Sequence, residues 1–377
     1  MSEDVAGRIR RAILDRGPIT FAEFMEHALY GPGGFYAEPP VGQEGHFVTA
    51  PHVHPVFAEL VHRAFRGLWE ALGRPRPFSV VEVGAGDGTL ARDLLRLADG
   101  EPDRALAFGA VERSSGARAR LTQLPIRVAS HLEELGPLDP GVVFANELLD
   151  NLPFRRVRAT PGGLAEVRVD VGANGLEEIE VPCDDDLAAW APVLRPGQDA
   201  TVPVEALRFV DELAGMLRHG YVLLVDYGSA SGPAGDVHGY RDQRVFEGVL
   251  RDPGTADITA GVDFGSIMHR AEARGLRALG LVSQRDALLS LGFADWSEIQ
   301  RGRQGRLLAE GAGDRAVRVW EGRSRASLLV DPAGLGRLRW LLLATPGLGR
   351  PSWIAAAQST QDLRPSLPGS TDGERRH

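Results

Sequence analysis

A chain of 377 residues exceeds one typical domain and falls short of three, and its 43% hydrophobic content is enough for a large core. The net charge of −9 argues against general nucleic-acid binding, which relies on a basic face, while leaving room for a local arginine patch. No lysine occurs, which excludes Schiff-base and lysine general-base chemistry, and the lone Cys183 excludes an intrachain disulfide or a cysteine zinc cluster.

Residues 4–16 place Val5, Ile9, Ala12 and Ile13 on one helical stripe that Gly17-Pro18 ends. Thr20 with Glu23 reads as a capping box ahead of Phe24, Met25 and Leu29. Residues 30–36 set aromatics around glycines, a pattern for a packed lid or a platform for a planar ligand. A helix is expected over about 53–72, from Val56, Leu60, Ala64, Leu68 and Trp69. His46, His52, His54 and His62 cluster here, but no carboxylate-histidine metal motif accompanies them, so no metal is expected.

The centre of the chain is the stretch 78–95. Phe78–Val83 is a β-branched run suited to a buried parallel strand. It ends in Glu82-Val83 and runs into Gly84, Gly86, Asp87 and Gly88, after which Leu90, Leu94 and Leu95 take helical spacing with Thr89 as N-cap. Three alternate glycines remove every Cβ that would block a ligand, and the helix N-terminus favours an anionic group, so this is a cradle for a nucleotide-type cofactor. A dinucleotide turn needs G-x-G-x-x-G; here the third glycine comes one residue early.

A second strand over 106–112 ends in Glu112, where a carboxylate accepts both hydroxyls of a ribose. A third, over 126–129, leads to Ser130, His131 and Leu132, where an adenine ring is expected. A fourth, over 141–145, leads to Asn146, Glu147 and Asp150; ligands of open parallel sheets lie off such carboxyl ends, so these three are the candidate catalytic residues. Residues 154–183 alternate apolar and polar like an antiparallel meander, and 187–195 and 203–218 read as helices. The buried-strand pattern returns over 221–226, ending in Asp226 and Tyr227, which with Thr49 and His52 are the expected substrate contacts. Helices are expected up to Arg274 and over 286–291 and 296–310, with strands over 276–282 and 338–344, and the polar tail from 358 onward is expected to be disordered.

The expected architecture is α/β: a helical cap over 1–77, a Rossmann-like sheet over 78–153 and 220–345, an inserted β-rich and helical substrate lobe over 154–219, and a tail over 358–377. Without an 18-residue apolar run or a leader-like N-terminus, the reading is a soluble cytoplasmic protein with no membrane partner.

Taken in order, I-T-F-A-E-F-M at 19–25, F-V-T-A-P at 47–51, E-V-G-A-G-D-G at 82–88, N-E-L-L-D-N-L-P at 146–153, D-Y-G at 226–228 and D-I-T-A-G-V-D-F at 257–264 resemble the MidA-like family of class I S-adenosylmethionine (SAM) methyltransferases. Mitochondrial members of that family are linked to respiratory complex I assembly through methylation of a protein arginine. The resemblance therefore implies SAM as cofactor and transfer to a nitrogen, foremost a protein arginine. The alternatives are a small metabolite as acceptor, or a non-catalytic assembly factor keeping the fold; a homodimer is compatible with the resemblance. His46, His52 and His54 stand where the family usually has aspartate, glutamate and serine, which bears on the acceptor rather than on the cofactor.

Overall fold

The computed structural model describes residues 4–37, 49–97, 106–231, 237–241, 244–246 and 248–362. His46 and the tail beyond 362 lie outside the described residues.

Seven strands form the central sheet: β1 (Phe78–Val83), β2 (Leu106–Val111), β3 (Arg127–Ala129), β4 (Gly141–Asn146), β5 (Gly220–Asp226), β6 (Arg277–Ser283) and β7 (Arg339–Ala344). Their spatial order is β6-β7-β5-β4-β1-β2-β3. The pairings β5-β4, β4-β1, β1-β2 and β2-β3 are parallel, and β7 runs antiparallel to both β5 and β6. Strand order reverses between β1 and β4, the switch point where an open α/β sheet holds its ligand.

The sheet is buried on both sides, which is why its strands read as continuous apolar runs. Phe78 and Val80 of β1 with Tyr221, Leu223 and Val225 of β5 pack against helices Val56–Ala71 and Thr89–Arg96. The alternate residues Val81, Val83, Val222 and Leu224 pack against helices Val204–Met216 and Phe264–Ala273 on the opposite face.

The α/β expectation thus holds in all seven core strands. Residues 155–182 form the expected antiparallel meander, joined by an unanticipated strand, Asp199–Val202. Ile19–Thr20 adds to the same sheet by pairing with Val169 and Arg168. Phe21 stacks on Phe154 at 5.6 Å, so the N-terminal helices and the inserted sheet share one apolar core.

Several expectations are corrected. Thr89 is not the N-cap: Gly88 takes that place at φ 78°, and Thr89 sends its N–H and hydroxyl to Asp87. The helix expected over 53–72 breaks at His54, which is extended, leaving Ala50–Val53 and Val56–Ala71. In place of the helix over 187–195 only Asp185–Ala188 is helical. Gly313–Ser327 is a helix that the sequence reading passed over, and Ser352–Asp362 carries helix into the start of the supposed tail.

Glu166 is fully buried within the inserted sheet, with Arg155 at 2.6 Å and Arg168 at 2.8 Å. Removing one partner of such a group leaves uncompensated charge, moderated here because both guanidinium groups keep a solvent edge. Glu166→Ala is expected to lower stability by about 2 kcal/mol in denaturant titration. An unchanged midpoint would show that the two arginines are independent of it.

Candidate active site

The carboxyl ends of β1, β2 and β4 open into one cleft of about 900 Å³. The turn after β1 is fastened to the next strand: Gly84 and Ala85 donate to the Val111 carbonyl, and Gly86 donates to Glu112 Oε2 at 2.9 Å. Gly84 and Gly86 have φ of 74° and 56°, conformations that side-chain-bearing residues rarely adopt. A Cβ on Gly86 would meet nothing within 4 Å, because the space above it is the cleft.

Of the expected cofactor residues, Glu82, Gly84, Gly86, Asp87, Glu112, Ser130, His131 and Leu132 line this cleft. Gly88 does not; it packs against Leu121. Glu82 is buried and its Oε2 has no hydrogen-bond partner. Burial, with Asp87 and Glu112 nearby, pushes its carboxyl up to about 8. Glu112 uses Oε2 for Gly86 N–H and Oε1 for Ser114 N–H, which fixes the carboxylate plane at the cleft wall and leaves each oxygen a lone pair.

These residues fit SAM. An orphaned buried carboxylate suits an ammonium group, a fixed carboxylate suits a ribose diol, and the open space at Gly86 admits the ligand chain. Ser130 and His131 are held by Glu134 at the edge, with apolar Leu132 beside them as a seat for a planar base.

Thr49 and His52 line the cleft too, but at its cofactor end. His52 Nδ1 lies 2.9 Å from Thr49 Oγ1 and its Nε2 lies 3.2 Å from Asp87 Oδ2. Asp87 is partly desolvated, but the bonds from His52 and Thr89 outweigh this and hold its carboxyl down at about 2. Helix Ala50–Val53 is thereby strapped onto the glycine turn.

Opposite stand the candidate catalytic residues. Asn146 and Glu147 line the cleft. Glu147 has the positive φ of 52°, rare for a residue with a side chain. Its Oε1 accepts from Ala50 N–H at 3.1 Å and from Asn146 Nδ2 at 3.0 Å, and burial raises its pKa. Asp150, Asp226 and Tyr227 lie outside the lining. Asp226 is fully buried and accepts four backbone N–H groups, from Leu148, Leu149, Asp150 and Tyr227. Burial and the neighbouring Asp226 raise Asp150, whose Oδ1 has no hydrogen-bond partner.

The sequence reading missed part of the cleft's wall. Glu23, Glu26, Tyr30, Tyr36 and Arg113 line it. Tyr30 and Tyr36 stack at 5.5 Å; Arg113 lies 4.4 Å over Tyr30 and pairs with Glu26 at 2.5 Å. Tyr36 and Asn151 both donate to Asp257 Oδ1 at 2.9 Å. Only the aromatic bracketing of the glycines at 30–36 signalled this wall.

Two outcomes are expected. Gly86→Val, which fills the open space, abolishes S-adenosylhomocysteine binding in calorimetry while EDTA leaves the wild type unaffected; a bound Gly86→Val protein would move the site elsewhere. The second concerns pH. Between the ordinary Glu value of 4.5 and about 8, the folded chain holds a proton on Glu82 that the unfolded chain has lost. Asp257, pushed by burial up to about 6, acts in the same direction. Stability of the cofactor-free protein therefore falls as pH rises through that window, and Glu82→Gln flattens the fall. Parallel melting curves for the two proteins across pH 5–8 would contradict the assignment.

Residues 60–282 match the family model described as S-adenosyl-L-methionine-dependent methyltransferase. A curated relative, the mitochondrial "Protein arginine methyltransferase NDUFAF7 homolog" of Drosophila melanogaster, is 30% identical over 91% of this chain and 85% of its own. The human protein arginine methyltransferase NDUFAF7, also mitochondrial, is 28% identical over 74% of this chain and 71% of its own. A crystal structure from Burkholderia thailandensis with bound S-adenosyl-homocysteine superposes with a TM-score of 0.78 at 26% identity, covering 93% of this chain and 94% of that one. The expectation of a cytoplasmic location is corrected by these curated relatives, which are mitochondrial. No helix among the described residues is long and apolar enough to cross a membrane. Sequence model, whole-chain relatives and fold agree, and the chain belongs to the S-adenosyl-L-methionine-dependent methyltransferases.

Proposed function

We propose that the acceptor is the guanidinium of an arginine in a protein. The observation that carries this is Glu147: it is presented at a left-handed backbone position, with Oε1 pinned by Ala50 and Asn146 and with Oε2 free of hydrogen bonds among the described residues. Glu23 and Glu26 also line the cleft but are engaged, Glu23 with Thr20 and Arg16 and Glu26 with Arg113, so the free oxygen that meets a cation is that of Glu147. The curated relatives named as protein arginine methyltransferases support the same acceptor.

Bound SAM supplies a methyl group on a sulfonium, which reacts with a lone pair aligned behind it. The chain's part is to present that lone pair. A guanidinium has its electrons delocalised and its protons in place, so a carboxylate must orient it and receive a proton. Glu147 Oε2 is the acceptor atom of that proton, and a carboxyl raised by burial is a better base than an exposed one. Asn146 Nδ2 holds the Glu147 carboxylate in place. Glu82 holds the cofactor's ammonium and Glu112 its ribose, and the Thr49-His52-Asp87 chain closes the strap over the turn. Asp150 and Asp226 act from behind the wall, as positioning residues.

A metabolite acceptor drew its support from the histidine departures. His52 is engaged with Thr49 and Asp87 beside the glycine turn, which gives it a part in fastening the Ala50–Val53 helix to the cofactor side.

Glu147→Gln keeps shape while removing the charge and the base. Its methylation rate on an arginine substrate is expected to fall about 100-fold or more, with S-adenosylhomocysteine affinity unchanged. A wild-type rate would remove Glu147 from the chemistry.

A further inference from the structure

Two clefts of about 630 and 410 Å³ lie beside helix Gly313–Ser327 and meet at His54, Arg318 and Gly322, which line both. Arg92 and Arg325 line the first, Arg303, Arg315 and Arg323 the second, and Arg318 the seam. Among the described residues none of these six guanidinium groups has an ion pair or side-chain hydrogen bond. In the inserted sheet and on helix Phe264–Ala273 and its end, by comparison, Arg155, Arg156, Arg158, Arg168, Arg270 and Arg274 are each paired with carboxylates. Among the described residues lining the two clefts, Glu59 and Glu321 are the carboxylates left to face the six, since Asp93 is taken by Arg96. In a protein of net charge −9, this concentrates unneutralised cations in one groove.

Two details indicate a ligand. Arg323 Nη1 is buried without an acceptor, a state that native structures seldom leave unanswered. His54 accepts from Val56 N–H through Nδ1 at 3.1 Å, and burial with Arg325 holds its pKa low. It is therefore neutral, with its remaining N–H on Nε2, beside Gly322 at the seam. The groove thus offers donors along its length.

We infer that this groove docks an acidic segment of the acceptor polypeptide. Six separated cations over two joined clefts match a run of carboxylates better than one compact anion, and Trp296, Leu307 and Val319 in the lining of the second cleft offer apolar contacts to a chain. Pro51, His52 and Thr89 line both the first of these clefts and the methyl-transfer cleft, so the groove begins at the active-site wall. The inference rests on the reading of the acceptor as a protein.

The test is fluorescence anisotropy of labelled octaglutamate with the full chain, free of cofactor, at low salt. The wild type binds, more weakly as salt rises, and labelled octaglutamine does not bind. The exposed pair Arg315→Gln/Arg318→Gln weakens binding about tenfold or more, as does Arg323→Gln, while S-adenosylhomocysteine binding by both variants matches wild type and reports that the fold is kept. Equal binding by the exposed-pair variant overturns the inference, as does displacement of the peptide by equimolar inorganic phosphate, which would make the groove a small-anion site. No methylation enters the measurement, so its failure is distinct from a failure of the arginine assignment.

Discussion

Asp226 ends the central strand β5 with no access to solvent, and its carboxylate gathers the N–H groups of Leu148, Leu149 and Asp150. A buried carboxylate is costly unless it is hydrogen-bonded, so the segment after β4 is held where it can supply those donors. Glu147 sits at the entry to that turn, its own N–H bonded to the Val225 carbonyl at 2.7 Å, and the backbone satisfies both demands only by passing through φ 52° there. The side chain is thereby turned into the cleft. Asp226 itself lies outside the cleft lining, yet the placement of Glu147 in the cleft depends on it.

The same logic extends across the site. Glu82, Glu112 and Glu147 are all raised by burial, so the cofactor-free cleft stores carboxyl groups that are incompletely compensated. Cations relieve that cost. An ammonium at Glu82 and a guanidinium at Glu147 would do so within one cleft, where the Ala50–Val53 strap touches both walls through His52 to Asp87 and Ala50 to Glu147. Cofactor and acceptor sites are in this way joined by one short helix.

The sheet was legible because its strands are buried on both faces and so read as apolar runs ending in Glu82, Glu112, Asn146 and Asp226. The cofactor cradle was legible for a related reason: glycines at alternate positions have a backbone meaning that survives without coordinates. The role of Asp226 was not, since a strand-end acid that lines a cleft and one that caps a turn look alike in sequence. Nor was the Arg113, Glu26 and Tyr30 cluster, whose members are brought together across 87 positions of chain. Helix Gly313–Ser327 escaped because few of its residues are buried, so its apolar stripe is weak.

Delivery of the methyl group to an arginine nitrogen, as proposed for this cleft, is open to direct measurement. Labelled SAM is incubated with the chain and an extract of cells lacking it, and the label is located after acid hydrolysis of the protein fraction. The account predicts label in methylarginine, absent when the chain carries Glu147→Gln. Label confined to the small-molecule fraction, or released from protein by mild base as a methyl ester, would contradict it.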